Sequence, residues 1–98
     1  MKDKIKILIG SCGGLTGLFI AKQLKKDFFV DCETYGIDFN EKIPTKKFLD
    51  KFFKVPSLSN ESDFIESLIF ILNQGNIDIY FPTHSKETYI ISKNENYI

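Results

Sequence analysis

The segment of residues 4–18 reads KIKILIGSCGGLTGL and contains the strongest indication of the fold. Residues 5–9 form a short, mostly apolar run with β-branched Ile5, Ile7 and Ile9, bounded by glycine, which is typical of a buried strand in a parallel sheet. Four closely spaced glycines then predict a tight turn. Apolar residues at helical spacing and lysines in the last turn predict a helix over residues 15–26. The segment therefore predicts a strand, a glycine-rich turn and a helix.

Three further strands are predicted where short apolar runs end at an acid or a proline. They cover residues 32–37, 52–55 and 77–81. The first belongs to the segment 28–38 and ends at Asp38. Pro56 and Pro82 stop the other two.

Three further helices are predicted among these strands. The first begins at Pro44. The second covers residues 64–73, and the third covers residues 86–93. Asn60 and Ser85 are the expected N-caps of the two longer helices. Gly75 is the expected end of the first of those two.

Strands that alternate with helices favour an α/β fold with a parallel sheet and helices on both faces. We therefore expect a Rossmann-like half-fold with four parallel strands in the order 3-2-1-4. The expected core contains apolar residues from every strand and from the two longest helices. These are Ile5, Ile7, Ile9, Leu18, Leu24, Ile37, Phe53, Val55, Phe64, Leu68, Ile71, Ile77, Ile79 and Phe81.

Composition limits the function classes. The 98 residues are enough for one domain, residues 1–98, and 43% of them are hydrophobic. Thirteen lysines balance thirteen acids, which argues against nucleic acid as a partner. No apolar run approaches the roughly 20 residues of a membrane span, and no signal peptide is recognised, so we expect a cytoplasmic protein without a membrane partner. The absence of arginine excludes a bidentate arginine clamp on an anion.

The glycine-rich turn is the first candidate site. Gly13 and Gly14 stand before a helix N-terminus, where glycines either bring a nucleotide phosphate close or allow the helix to pack on the strand. The dinucleotide fingerprint is broken because Cys12 stands where its first glycine belongs. Asp38, twenty-one residues after Gly17, is placed as a ribose-binding acid would be. Cys12 itself is a nucleophile candidate or a small residue that fills the turn.

The segment after the fourth strand is the second candidate site. If strands one and four are neighbours, their carboxyl ends form the switch point at which open α/β sheets bind ligands. Ser11, Cys12, Thr83, His84 and Glu87 are then expected to converge on one open pocket. Glu87 is the strongest candidate, as an exposed acid in the first turn of the last helix. The alternative is that the segment 83–87 only caps that helix. No metal site is expected from the single histidine.

Four stretches together resemble a known family. They read KILIGSCGG, GIDFN, KFFKVPSLSNESDFIESLIFIL and NIDIYFPTHSKET. In order and spacing they are similar to the N-terminal (pre-ATP-grasp) domain of ATP-grasp ligases, of the carbamoyl-phosphate-synthase large-subunit type. The residues that carry the match are Val55, Pro56, Asp63, Ile77, Asp78, Pro82, Thr83 and Glu87.

The resemblance implies one domain of an enzyme that activates a carboxylate with ATP and transfers it to an amine. In that family ATP and magnesium are held by the two following subdomains, so the 98 residues are expected to hold no cofactor and to be inactive alone. The implied partners are those subdomains, a small-molecule substrate and, as a further possibility, a second copy in a homodimer. The implied substrate-binding residues are Ser11, Cys12, Gly13, Gly14, Asp38, Thr83, His84 and Glu87.

Two other function classes remain open at the level of sequence. One is a stand-alone Rossmann-like module that binds a nucleotide or another anion, although the broken glycine fingerprint argues against it. The other is an interaction protein that docks through its apolar C-terminal tail. That tail contains Tyr89, Ile90, Ile91, Tyr97 and Ile98.

Overall fold

The fold is known from a computed structural model that describes residues 4–26 and 31–98. Its four strands are β1 (Ile5–Ile9), β2 (Cys32–Asp38), β3 (Lys51–Lys54) and β4 (Ile79–Phe81). Its helices are α1 (Leu15–Lys26), α2 (Glu61–Gln74) and α3 (Ser85–Lys93), with two 3-10 helices at Pro44–Phe48 and Glu95–Tyr97. All strand pairs are parallel, in the order β3-β2-β1-β4. The predicted fold is therefore confirmed.

The two faces of the sheet have separate cores because neighbouring residues of a strand point to opposite sides. Leu8 of β1 packs with α2 and α3, whereas Ile9 packs with α1 and the 3-10 helix Pro44–Phe48. The buried members on the side of Leu8 are Ile37, Val55, Phe64, Ile65, Leu68, Ile71 and Ile90. Those on the side of Ile9 are Cys12 and Ala21. Helices thus cover both faces, and β1 lies at the centre.

The strand bounds differ from the predicted ones. β3 begins one residue earlier than expected and ends at Lys54, although Val55 N still donates to Asp38 O at 3.0 Å. β4 begins two residues later, since the Asp78 carboxylate accepts from Lys6 N at 2.8 Å in the place of a backbone acceptor. Residues 28–30 of the segment expected to contain β2 lie outside the described residues.

The expected core is wrong at the sheet edge. Ile79 and Phe81 are 42% and 39% exposed, because β4 is an edge strand and both side chains share the face that α1 only partly covers. Ile5, Leu18, Leu24, Phe53 and Ile77 are half-buried. Leu8 was not expected in the core but is fully buried under α2. The other expected core residues are buried.

The predicted helix ends need correction. His84, not Ser85, is the N-cap of α3, since its Nδ1 accepts from Lys86 N at 3.0 Å. Asn60 is the N-cap of α2 but makes no side-chain bond to the backbone, because its Nδ2 donates to Asp63. α2 ends at Gly75 as expected, although the left-handed residue is Asn76, with φ 50°.

The C-terminal tail is only partly free to dock. Ile90 is 2% exposed and Ile91 packs against the core beside α2. Tyr89 and Tyr97 are exposed. The apolar residues of the tail therefore serve the fold as well as the surface.

Candidate functional site

A cleft opens at the carboxyl ends of β1, β2 and β3. Its volume is about 270 Å³. Ile37, Val55 and Phe64 supply apolar surface from the core. Polar side chains come from the turns that follow the three strands and from the start of α3. They are Ser11, Asp38, Ser57, Ser59, His84 and Lys86. Apolar walls with a few polar groups are typical of a small-molecule site.

The sequence-predicted site residues divide between this cleft and the protein interior. Ser11, Gly14, Asp38 and His84 line the cleft, whereas Cys12 and Glu87 are fully buried. Between the ends of β1 and β4, where an open pocket was expected, lies the buried Glu87 carboxylate, which accepts hydrogen bonds from Ser11 and Thr83. The cleft lies instead over β1, β2 and β3.

The Glu87 side chain, from the first turn of α3, links the ends of β1 and β4 by hydrogen bonds. Its Oε1 accepts from Ser11 Oγ at 2.9 Å and from Thr83 N at 3.2 Å, and its Oε2 accepts from the Tyr80 hydroxyl. Thr83 Oγ1 donates in turn to Gly10 O at 2.7 Å. The prediction that Glu87 is exposed is therefore wrong, and the side chain instead fixes one wall of the cleft through Ser11.

Burial and hydrogen bonding act in opposite directions on the pKa of Glu87. Burial raises the pKa of Glu87 above its ordinary value, while the hydrogen bonds from Tyr80, Ser11 and Thr83 lower it by a smaller amount. No lysine within the described ranges forms an ion pair with it. Burial and the neighbouring Glu87 charge raise the pKa of Tyr80, so its hydroxyl remains a donor.

Ser11 binds the buried Glu87 and also faces the cleft, and its backbone conformation suits these two roles. Its φ is 47°, in the left-handed region that few residues other than glycine adopt. Its side chain is held by Glu87, and its carbonyl oxygen accepts from Gly14 N at 3.2 Å. The turn after β1 is therefore tied to the buried network while Ser11 also faces the cleft.

The glycines of the turn serve packing. A Cβ on Gly17 would lie 2.7 Å from Cys12 Cα, so only glycine allows α1 to pack this closely on the turn. A Cβ on Gly13 would lie 2.7 Å from Ile43 Cγ2 and 2.9 Å from Asp38 Oδ2. Of the two interpretations of these glycines, the geometry supports packing of the helix on the strand.

Asp38 is engaged by backbone groups. Its Oδ2 accepts from Gly13 N at 2.9 Å, and its Oδ1 accepts from Asn40 N at 3.0 Å. Both oxygens thus join the end of β2 to neighbouring turns. A ribose contact of the dinucleotide type would compete with these bonds.

His84 and Lys86 form the polar rim of the cleft on the side of α3. Because His84 Nδ1 accepts from Lys86 N, Nε2 carries the ring proton when the imidazole is neutral, and it can donate to a ligand. Lys86 is exposed and lines the cleft. His84 therefore caps α3 in place of the predicted Ser85, and it also lies where a ligand contact was predicted.

Cys12 does not have the properties of a nucleophile. It is fully buried against Ile9 and Ala21, and burial together with the Asp38 charge raises the pKa of its thiol to about 12. Its Sγ would lie 2.7 Å from a Cβ on Gly36. Both Cys12 and Cys32 are free thiols. Cys12 therefore fills the space between α1 and the sheet.

Several site residues escaped the sequence reasoning. They are Phe39, Ser57, Leu58, Ser59 and Lys86 in the cleft and Tyr80 in the buried network. The signal for Ser57 and its neighbours was their position directly after β3, because the carboxyl ends of parallel strands share one edge. Tyr80 stands between Ile79 and Phe81 in β4. This position indicates only that its side chain lies on the face of the sheet opposite to theirs.

Comparisons with known proteins leave the family open. No protein-family model matches the sequence, and no curated protein matches it. The ATP-grasp resemblance therefore stays a prediction. Within residues 4–26 and 31–98, no group of three or more potential metal-binding side chains occurs. No helix in the described part of the chain has the length and apolar character needed to cross a membrane.

Proposed function

We propose that this chain is the substrate-side domain of an ATP-dependent carboxylate–amine ligase of the carbamoyl-phosphate-synthase-like ATP-grasp type. On this proposal it binds a small substrate in the cleft and is not catalytic alone. It acts in the cytoplasm, with ATP and magnesium held by the following subdomains. The observation that supports the proposal is that residues of two family-like stretches far apart in sequence meet at the cleft: Val55 and Pro56 line it, and Glu87 holds Ser11 at its wall.

The residues of these stretches have distinct structural roles. Val55 and Pro56 line the cleft directly. Thr83 and Glu87 act from behind it, because they hold Ser11 in place. Asp78 joins β4 to β1 through Lys6 N at the amino ends of these strands, away from the cleft. Conversion of a carboxylate into an amide requires the substrate to be held in one orientation, and a wall fixed by buried hydrogen bonds supplies this.

The polar rim fits a carboxylate or an amine. Lys86 and the Nε2 donor of His84 can bind a carboxylate, and the hydroxyls of Ser57 and Ser59, which lie 2.9 Å apart, can donate to it or accept from an amine. The apolar surface from Val55 and Phe64 suits the carbon skeleton of the same substrate. A cleft of about 270 Å³ limits that substrate to a small molecule.

The test uses the protein encoded by the complete reading frame and measures ADP formation with a panel of carboxylates and ammonia. We expect ADP release that depends on one carboxylate. Ser57→Phe, which fills the cleft, should raise the KM for that carboxylate about tenfold or more, equivalent to about 1.4 kcal/mol of binding. It should leave the KM for ATP unchanged. Ser62→Phe on the exposed side of α2 is the matched control and should change neither value.

Calorimetry on residues 1–98 tests the alternative of a stand-alone nucleotide-binding module. We expect no micromolar binding of MgATP, since the ligase proposal assigns the nucleotide to other subdomains. Micromolar binding to the isolated chain would contradict the proposal and favour the stand-alone module. Absence of carboxylate-dependent ADP formation in the complete protein would also contradict it.

A further inference from the structure

A groove lies beside β3, away from the cleft. We call it the β3 groove, and its volume is about 840 Å³. Tyr35 and Phe53 line it from the sheet with their rings edge to face, 6.3 Å between centroids. Phe70 of α2 lines the opposite wall and is 64% exposed. The groove therefore presents an aromatic surface to solvent.

Lysines surround this aromatic surface. Lys6, Lys51 and Lys54 line the groove together with the acid Glu66, and Glu33 accepts a hydrogen bond from the hydroxyl of Tyr35 at its wall. Within the described ranges none of the three lysines forms an ion pair. Lys51 Nζ instead lies 5.7 Å from the centroid of the Phe53 ring. Because the chain as a whole has no net charge, the excess of positive charge here is local.

The backbone of β3 adds a second recognition element. In the described sheet β3 pairs with β2 on one side only, so its other edge presents unpaired N–H and C=O groups. Lys51 and Lys54 stand at the two ends of this edge. A free strand edge beside a groove is the arrangement by which proteins bind an extended peptide as an added strand.

We propose that the β3 groove binds an acidic peptide in extended conformation, which adds a fifth strand to the sheet at the edge of β3. Alternate apolar side chains of the peptide contact Phe53 and Phe70, the carboxylates between them lie near Lys54 on the other face of β3, and the terminal carboxylate lies near Lys51. This interaction is independent of the function proposed for the cleft. A second copy of the chain is a poorer occupant, because a symmetric contact through the groove would bring the same lysines together.

The first experiment measures binding of a labelled synthetic peptide to the 98-residue chain by fluorescence anisotropy. The peptide alternates glutamate with phenylalanine or valine. We expect saturable binding that weakens as salt screens the charges. The double variant Lys51→Glu and Lys54→Glu should weaken it about tenfold or more, equivalent to about 1.4 kcal/mol. Lys25→Glu with Lys26→Glu, an equal charge change on exposed positions of α1, should leave it unchanged.

A second experiment tests strand addition on the unaltered chain, and so does not depend on whether the double variant folds. Peptides are N-methylated on every second amide, in one phase or the other. Since a one-residue shift would turn the apolar side chains away from the groove, only one phase can face β3. We expect that phase to abolish binding and the other to preserve it.

Several results would overturn the proposal. These are no binding of the acidic peptide, an equal loss with the α1 control, or equal loss with both N-methylated phases. Tighter binding of a single-stranded oligonucleotide than of the peptide would assign the groove to nucleic acid. Dimerisation of the chain in sedimentation experiments, abolished by the Lys51 and Lys54 changes, would assign it to a second copy.

Discussion

Gly10 and Glu87 share one space: a Cβ atom on Gly10 would overlap the Glu87 carboxylate and would lie 2.7 Å from its Oε1. The two residues come from the end of β1 and the first turn of α3. The buried carboxylate can therefore occupy its place between β1 and β4 only because residue 10 has no side chain. Its bonds to Ser11 and Thr83 depend on the same space.

Gly10→Ala is expected to destabilise the protein by about 1–3 kcal/mol, because the added methyl group overpacks the buried network. Urea unfolding followed by circular dichroism measures the difference. Gly14→Ala is the matched control, since its Cβ would meet only Ser11 O at 3.6 Å and its φ is negative. That control should cost no more than about 0.5–1 kcal/mol, the loss from alanine at the position before α1, and less than Gly10→Ala. Equal effects of the two changes would contradict the proposed overlap.

Glu87→Gln is expected to change how stability depends on pH. Burial raises the pKa of Glu87 in the folded state, so the folded protein binds a proton more tightly there than the unfolded chain does. The contribution of this proton to stability is complete below about pH 4.3, the ordinary glutamate value. It is lost as the pH rises through the higher folded value.

The measurement is the free energy of unfolding of parent and variant between acidic and neutral pH. The parent should lose stability relative to Glu87→Gln as the pH rises, because glutamine does not titrate. Glu66→Gln, a change at an exposed position of α2, serves as the control. A difference between parent and Glu87→Gln that is constant with pH, or that grows in favour of the parent, would exclude a raised pKa.

Cys12 is expected to resist alkylation. With a thiol pKa of about 12 and no exposed surface, it should not react with iodoacetamide at pH 8 while the protein is folded. Cys32 is only half-buried and should be modified. Mass spectrometry of proteolytic peptides distinguishes the two sites. In urea both should react, and rapid labelling of Cys12 in the folded protein would contradict its assignment to the core.

His84→Ala is expected to destabilise the protein by about 1 kcal/mol, since the start of α3 loses its side-chain cap. Asparagine is a strong N-cap, so His84→Asn should retain most of the stability. Ser85→Ala should have little effect, because Ser85 is exposed and is not the capping residue. Thermal unfolding of the three variants measures these differences. A larger loss for Ser85→Ala than for His84→Ala would restore Ser85 as the cap.

The fold could be predicted because its signals are local. Alternation of apolar residues in residues 4–10, glycines before α1 and prolines after β3 and β4 each act within a few residues of the element they define. The parallel order then follows from alternation of strands with helices. The predicted bounds of the strands were less accurate. At the start of β4 the Asp78 carboxylate replaces a backbone acceptor for Lys6 N. Because these two residues are 72 positions apart, the local sequence contains no signal of this bond.

The site could be predicted only in part because burial is a property of the assembled fold. An acid in the first turn of a helix is usually a solvated partner of the helix dipole. Glu87 is buried instead because β4 supplies Tyr80 and β1 supplies Gly10 and Ser11. Asp38 was correctly placed at the carboxyl end of β2. Its engagement by Gly13 N could not be seen before the turn had a geometry.

The central position of β1 has a consequence for how the chain acquires its structure. β1 pairs with β2 and also with β4, and the Lys6–Asp78 contact joins residues 72 apart. Such distant contacts slow folding, because a long loop must close before they form. During synthesis from the N-terminus, β1 emerges first yet waits for β4 before its second edge is covered. Ribosome-bound chains that stop before residue 79 are therefore expected to expose an apolar strand and to need protection from aggregation.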